Sequence, residues 1–129
     1  MIYVDTSVAL AWILAEDHRP PRSFWRESVV SSRLLQYELT NRLRAYGMTS
    51  AREAQAREII SVLSFVELTS PVMERALKPF PAPVRTLDAL HLATLEFLSG
   101  HAVDVTLASY DSRMISVAEA MGRRIHPLP

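Results

Sequence analysis

The chain has no cysteine. Disulfides, thiolate zinc sites and cysteine nucleophiles are therefore excluded, and the lack fits a reducing cytosol. A cytoplasmic location is the expectation. Glycine is scarce: Gly47, Gly100 and Gly122 are the only three, and each stands where a helix should close. None is left for a phosphate-cradling loop or a dinucleotide-binding turn. Lysine is reduced to Lys78, against thirteen arginines. Arginine forks suit phosphate oxygens, although genome base composition produces the same bias. Formal net charge is zero, so any nucleic-acid binding must rest on local patches. The longest apolar stretch, residues 8–15, falls far short of the ~20 residues of a membrane span. Asp5 stands in front of it and no positive charge precedes it, which argues against a secretory signal. No membrane association is expected.

What is present is a core. Of the 129 residues, 49% are hydrophobic and 22% charged, which suits one globular domain over 1–129. The segments alternate between two periods. Strands are predicted over 2–4, 29–31, 65–69, 103–108 and 124–126. Helices are predicted over 7–14, from Ser32 to Tyr46, from Ser50 to about Ser64, from Pro71 to Leu77, over 86–98 and from Asp111 or Ser112 to Met121. A short helical turn is expected around Phe24 and Trp25. Leu35, Leu39 and Leu43 recur every fourth residue and should line the buried face of the second helix. Ser50 with Glu53 reads as a capping box, Thr86 as a cap, and Gly47, Gly100 and Gly122 as helix ends. Short strands alternating with helices give an α/β fold: a small, mainly parallel sheet of 4–5 short strands flanked by helices. Ligands of such sheets sit beyond the carboxyl ends of the strands. Asp5 follows the first strand and Asp111 follows the strand ending near Ala108, so both belong to that edge.

Four acids stand out, and each has a plain structural explanation. Asp5 and Asp111 can cap helices. Asp88 sits in a first helical turn, where the helix dipole favours a carboxylate. Glu38 borders the inward face of its helix and can reach out to water, but a buried unpaired carboxylate is costly. Asp88 shares its face with Leu92 and Leu95. Taken together the four can converge at one end of the sheet. Clustered carboxylates repel unless a cation neutralises them, and oxygen-only donors suit a hard cation, Mg²⁺ or Mn²⁺. Such a cation activates water and neutralises phosphoryl oxygens, which is the chemistry of phosphodiester hydrolysis.

Four stretches, MIYVDTSVALAWIL, LLQYELTNRLRAYG, RTLDALHLATL and VTLASYDSRMISVAEAMG, resemble the PIN-domain ribonucleases, most closely the VapC-type toxins of toxin–antitoxin pairs. The resemblance covers nearly the whole chain in length and element order. It implies a PIN-like domain and a metal-dependent endoribonuclease. Asp5, Glu38, Asp88 and Asp111 would form the catalytic site. Asp5 and Asp88 would be the main ligands of Mg²⁺ (or Mn²⁺), and Glu38 and Asp111 would orient the attacking water. Thr6, Ser7 and Ser109 stand where the family places hydroxyls. Arg85, before the Thr86 helix, would contact RNA phosphate or a neighbouring carboxylate, although a solvated surface arginine is the default reading. The implied partners are RNA, a second copy of the chain in a homodimer, and a cognate antitoxin packing into a groove for which Trp12, Phe24 and Trp25 are candidate lining; ordinary core packing serves these aromatics equally well.

Rival readings remain at this point. A haloacid-dehalogenase-type phosphatase wants a second aspartate two residues after the first, where Ser7 stands, and a supporting lysine. A receiver domain fails on the same lysine. A PIN-like domain that binds RNA or protein without cutting would keep the acids as caps and surface charges. Asp104 competes for the role of fourth acid but lies at the start of its strand, away from the site. His91, three residues after Asp88, can touch the site, though a core histidine bonded to backbone is the simpler expectation. His18, His91, His101 and His126 are too scattered for zinc.

Overall fold

The computed structural model describes residues 1–101 and 104–129. The elements run β1 (Ile2–Val4), α1 (Thr6–Ile13), a 3₁₀ turn (Arg22–Arg26), β2 (Val29–Ser32), α2 (Leu34–Tyr46), α3 (Ser50–Val62), β3 (Ser64–Val66), α4 (Ser70–Ala76), α5 (Thr86–Gly100), β4 (Thr106–Ala108) and α6 (Ser112–Ala120). The strands form one sheet in the order β3-β2-β1-β4, and every pairing is parallel. This is the α/β architecture that the alternating periods imply.

Alternation along the strands divides the core between two faces. Ile2, Val4 and Val29 pack with Val8, Ile13, Leu35, Leu39, Leu43 and Ile59, so α1, α2 and α3 cover one face. Tyr3, Val30 and Leu107 pack with Leu92, Leu95, Met114 and Val117, so α5 and α6 cover the other. β1 is buried along its whole length, as a central parallel strand must be when helices cover both faces. Leu35, Leu39 and Leu43 are fully buried, the ridge that their four-residue spacing demands.

Several helix ends differ from expectation. Thr49, not Ser50, caps α3, its hydroxyl accepting from the Arg52 N–H at 3.2 Å. Glu53 then lies too far along to close a capping box and pairs with Arg57 instead. Ser32 is the last residue of β2, and its hydroxyl accepts from the Leu34 N–H at 3.1 Å with Arg33 between them. Arg85 occupies the cap position of α5 and Thr86 is already helical. Gly100 is helical too, whereas Gly47 and Gly122 take the positive φ of +110° and +77° that ends α2 and α6.

The first two strands fall where predicted, and the later ones are shorter. β3 stops at Val66, because the chain turns back at once with the Thr69 N–H on the Glu67 carbonyl at 2.9 Å. β4 begins at Thr106, and residue 103 of the predicted strand lies outside the described residues. The expected last strand is a single bridge, Leu107 to Ile125. The His126 N–H donates to the Leu107 carbonyl at 2.7 Å and the Leu107 N–H to the Arg124 carbonyl at 2.9 Å, and the pairing ends there.

Candidate active site

The strand order reverses at β1. The chain goes from β1 to β2 and β3 on one side, then returns to place β4 on the other. This switch point opens a crevice beyond the carboxyl ends of β1 and β4. Val4 and Ala108 are paired there, and the next residues of each strand, Asp5 and Ser109, face each other across the opening. A pocket at this edge is lined by Asp5, Thr6, Ser7, Glu38, Arg42, Arg85, Asp88 and Asp111. All four predicted acids are brought together. The pocket holds about 200 Å³.

Asp5 holds the N-cap position of α1 yet makes no capping bond. Its Oδ2 accepts from the Ser7 hydroxyl at 2.6 Å and from the Ser109 hydroxyl at 2.9 Å. Capping therefore does not explain a carboxylate that is only 5% exposed. Ser109 also accepts from the Asp111 N–H at 3.0 Å, and Ser7 from the Tyr110 N–H at 3.0 Å. The hydroxyls thus tie the end of β1 to the end of β4. Asp111 is a true cap, with Oδ1 accepting from the N–H groups of Arg113 and Met114. Its Oδ2 is left for the pocket side, where it pairs with Arg85 at 3.3 Å.

Asp88 sits in the first turn of α5 with its side chain 15% exposed. Burial lifts its carboxyl above the usual range, the charges of Asp111 and Asp5 add to the lift, and the Arg85 guanidinium opposes it. Arg85 reaches Asp88 Oδ2 at 3.2 Å through Nε and Asp111 through its other arm. Arg85 is exposed, as the default reading had it, and it also makes the carboxylate contact.

Glu38 projects from α2, and its Oε1 accepts from the Thr6 hydroxyl at 2.9 Å and from His91 Nε2 at 2.5 Å. His91 is 1% exposed. Its Nδ1 meets the Tyr3 hydroxyl at 2.7 Å. This corrects the expectation of a backbone-bonded core histidine: every ring partner is a side chain, and one belongs to the site. Burial works against a charge on His91, but the Glu38 bond and the charges of Asp5, Glu38 and Asp88 outweigh it and raise the imidazole above its ordinary value. Arg42, which the sequence reading passed over, lines the pocket one turn beyond Glu38. Its spacing of four from Glu38 was the signal available.

The donor set fits a hard divalent cation: four carboxylates, flanking hydroxyls and no thiolate. Among the described residues, no three acidic or histidine side chains are close enough to cage an ion as they stand. The guanidinium of Arg85 holds the place of a cation between Asp88 and Asp111. Asp104 lies at the opposite end of the sheet, where it is exposed and pairs with Arg124. A separate groove is lined by Trp12, Arg22, Trp25, Arg26, Glu58, Ile59 and Val62. Trp12 and Trp25 line it as expected, but Phe24 does not; it is 4% exposed and packs in the core.

This fold and this acidic switch-point pocket define a PIN domain, and the family profile of that name matches residues 2–120. The chain belongs to the PIN-domain family, among the VapC ribonucleases. It is 30% identical to Ribonuclease VapC47 of Mycobacterium tuberculosis over 95% of this chain and 93% of that one. It is 32% identical to Ribonuclease VapC46 of the same organism over 96% and 95%. In fold it superposes on the M. tuberculosis VapC20 structure, described as a sarcin-ricin loop cleaving toxin, with TM-score 0.72, 20% identity and full coverage of both chains. It superposes equally on VapBC2 of Rickettsia felis bound to a promoter DNA fragment, with TM-score 0.71, 12% identity and full coverage of both chains. The dehalogenase and receiver readings fall with this assignment.

Proposed function

We propose that the chain is a divalent-metal-dependent endoribonuclease, the toxin of a toxin–antitoxin pair. The observation that carries the reading is the convergence of Asp5, Glu38, Asp88 and Asp111 on one pocket, in a chain about a third identical to VapC ribonucleases. Asp5 and Asp88 are the residues to hold Mg²⁺ or Mn²⁺. When bound, that ion neutralises phosphoryl oxygens and lowers the pKa of water.

The protein's own groups do the rest. Ser7 and Ser109 fix the Asp5 carboxylate by donating to one of its oxygens. Asp111, anchored as a helix cap on one oxygen, and Glu38, anchored on Oε1, orient the attacking water. Arg42 and Arg85 line both the pocket and the adjoining groove with Thr86 and Leu87. They are placed to take the phosphates of a strand entering there. The Trp12–Trp25 groove, with Arg22 and Arg26 on its rim, suits an antitoxin segment carrying apolar and acidic side chains.

The test is cleavage of total RNA by the purified protein with Mg²⁺, with EDTA, and with Asp5→Asn as control. Discrete metal-dependent cuts that the variant lacks are expected. Cuts that persist in EDTA or in Asp5→Asn would sink the assignment.

A further inference from the structure

We propose that His91 is a positioning residue for Glu38, acting through a buried chain of hydrogen bonds that starts at Tyr3. The proposal deepens the nuclease reading and rests on it. The direction of the bond to Glu38 is the same in either protonation state of the ring. A carboxylate offers no hydrogen, so the contact of 2.5 Å requires His91 Nε2 to carry one and donate it to Glu38 Oε1. In the neutral ring Nδ1 is then an acceptor, and the Tyr3 hydroxyl donates to it at 2.7 Å. Burial and the charge of Asp5 keep Tyr3 a phenol, hence a donor.

Each link comes from a different element. Tyr3 is fully buried in the central strand β1, His91 belongs to α5, Glu38 to α2, and Thr6, which also donates to Glu38 Oε1, to α1. Tyr3, His91 and Thr6 fix the carboxylate of Glu38 to the sheet, not merely to its own helix. Both donors fall on Oε1, and among the described residues Oε2 has no protein partner. One oxygen is thus tethered and the other is left for the pocket that Glu38 lines. A leucine at position 91 would fill much of the same buried space, but it would leave the Tyr3 hydroxyl without its acceptor and Glu38 without its donor. The imidazole serves two polar partners at once, the Tyr3 hydroxyl on Nδ1 and the Glu38 carboxylate on Nε2. Groups that orient a site residue in this way are worth about 10- to 100-fold in activity.

Three variants separate orientation from packing. His91→Gln carries an amide nitrogen to the place of Nε2 and keeps the donor to Glu38. His91→Asn carries one only to the place of Nδ1, and His91→Leu carries none. We expect kcat on RNA to fall about 10- to 100-fold in the Asn and Leu variants, with KM near the wild-type value, and to be largely recovered in Gln. In a Glu38→Gln background the Leu change should add no further loss, because residues acting as one unit are not additive. Should His91→Leu fail to fold, the Gln and Asn pair decides. Wild-type kcat in Asn or Leu, equal loss in Gln and Asn, or an additive loss in the double variant would overturn the proposal. If the wild type cuts no RNA, it is the nuclease reading that fails. A far-downfield imidazole N–H resonance, lost in Glu38→Gln, still reports whether the bond exists, and its absence from the wild type would overturn the proposal.

Discussion

Replacing Asp5 by asparagine separates the structural work of this carboxylate from its work on a cation. The side chain is 7% exposed, and its Oδ2 accepts from Ser7 at 2.6 Å and Ser109 at 2.9 Å. A hydrogen bond to a charged acceptor contributes about 1.5–3 kcal/mol and a neutral one about 0.5–1.5 kcal/mol. An amide oxygen in the same place keeps both bonds but weakens them by about 2 kcal/mol in total. Loss of the charge also ends the repulsion that Asp5 exerts on Asp88, which offsets part of that. Metal-free stability should therefore fall by about 1–2 kcal/mol, or about 4–8 °C in Tm for a chain of this size. Saturating Mn²⁺ at a hundredfold over Kd stabilises the parent by about 2.7 kcal/mol, or about 10 °C. In Asp5→Asn that increment should vanish, together with RNA cleavage. Thermal unfolding of both proteins in EDTA and in Mn²⁺ reads the two effects separately. An equal metal increment in parent and variant would refute the reasoning, and so would a metal-free loss of many kcal/mol, which would make Asp5 a structural anchor first.

The other outcomes follow from neighbouring contacts. Arg85→Gln removes the guanidinium that holds Asp88 and Asp111, so it should bind Mn²⁺ more tightly by calorimetry while cutting RNA more slowly; equal or weaker metal binding would show that Arg85 does not compete. Arg42→Ala should weaken RNA binding and reduce its salt slope by about 0.7, the loss of one phosphate contact on a single strand. An unchanged slope would place Arg42 off the RNA path. His91 has an imidazole raised by Glu38, Asp5 and Asp88 against its burial. Its contribution to metal-free stability is therefore fully present below the unfolded value of about 6.5 and lost as pH rises through the higher folded value. Denaturation in EDTA across that window should show stability falling with pH, and His91→Gln should flatten the fall. A flat profile in the parent would contradict the sign.

The strand and helix order was legible because both periods are strong here. Alternation set Ile2 and Val4 against Tyr3, and the four-residue spacing of Leu35, Leu39 and Leu43 named a buried ridge that is fully inside. Element ends were less legible. Thr49 and Ser50 are both good caps, and only the backbone of the turn after Gly47 decides between them. Gly100 is the last residue of α5 and not the residue after it, because nothing in that turn requires a left-handed residue and His101 takes the cap position. The expected last strand is reduced to one bridge between Leu107 and Ile125.

The sequence by itself determined the chemistry available: carboxylates at the ends of two strands, another in a first helical turn, one on an inward helix face, and no sulfur. A carboxylate's charge and a strand's period are local properties, so they can be read one residue at a time. Only the tertiary structure decided what each acid does. Asp5 and Asp111 both occupy N-cap positions, yet one caps its helix and the other is held by hydroxyls from two strand ends. His91 and Glu38 lie 53 positions apart, and their bond exists because α5 and α2, on opposite faces of the sheet, meet beyond the carboxyl end of β1. Such partners are chosen by packing over long sequence separations, and no local pattern carries that choice.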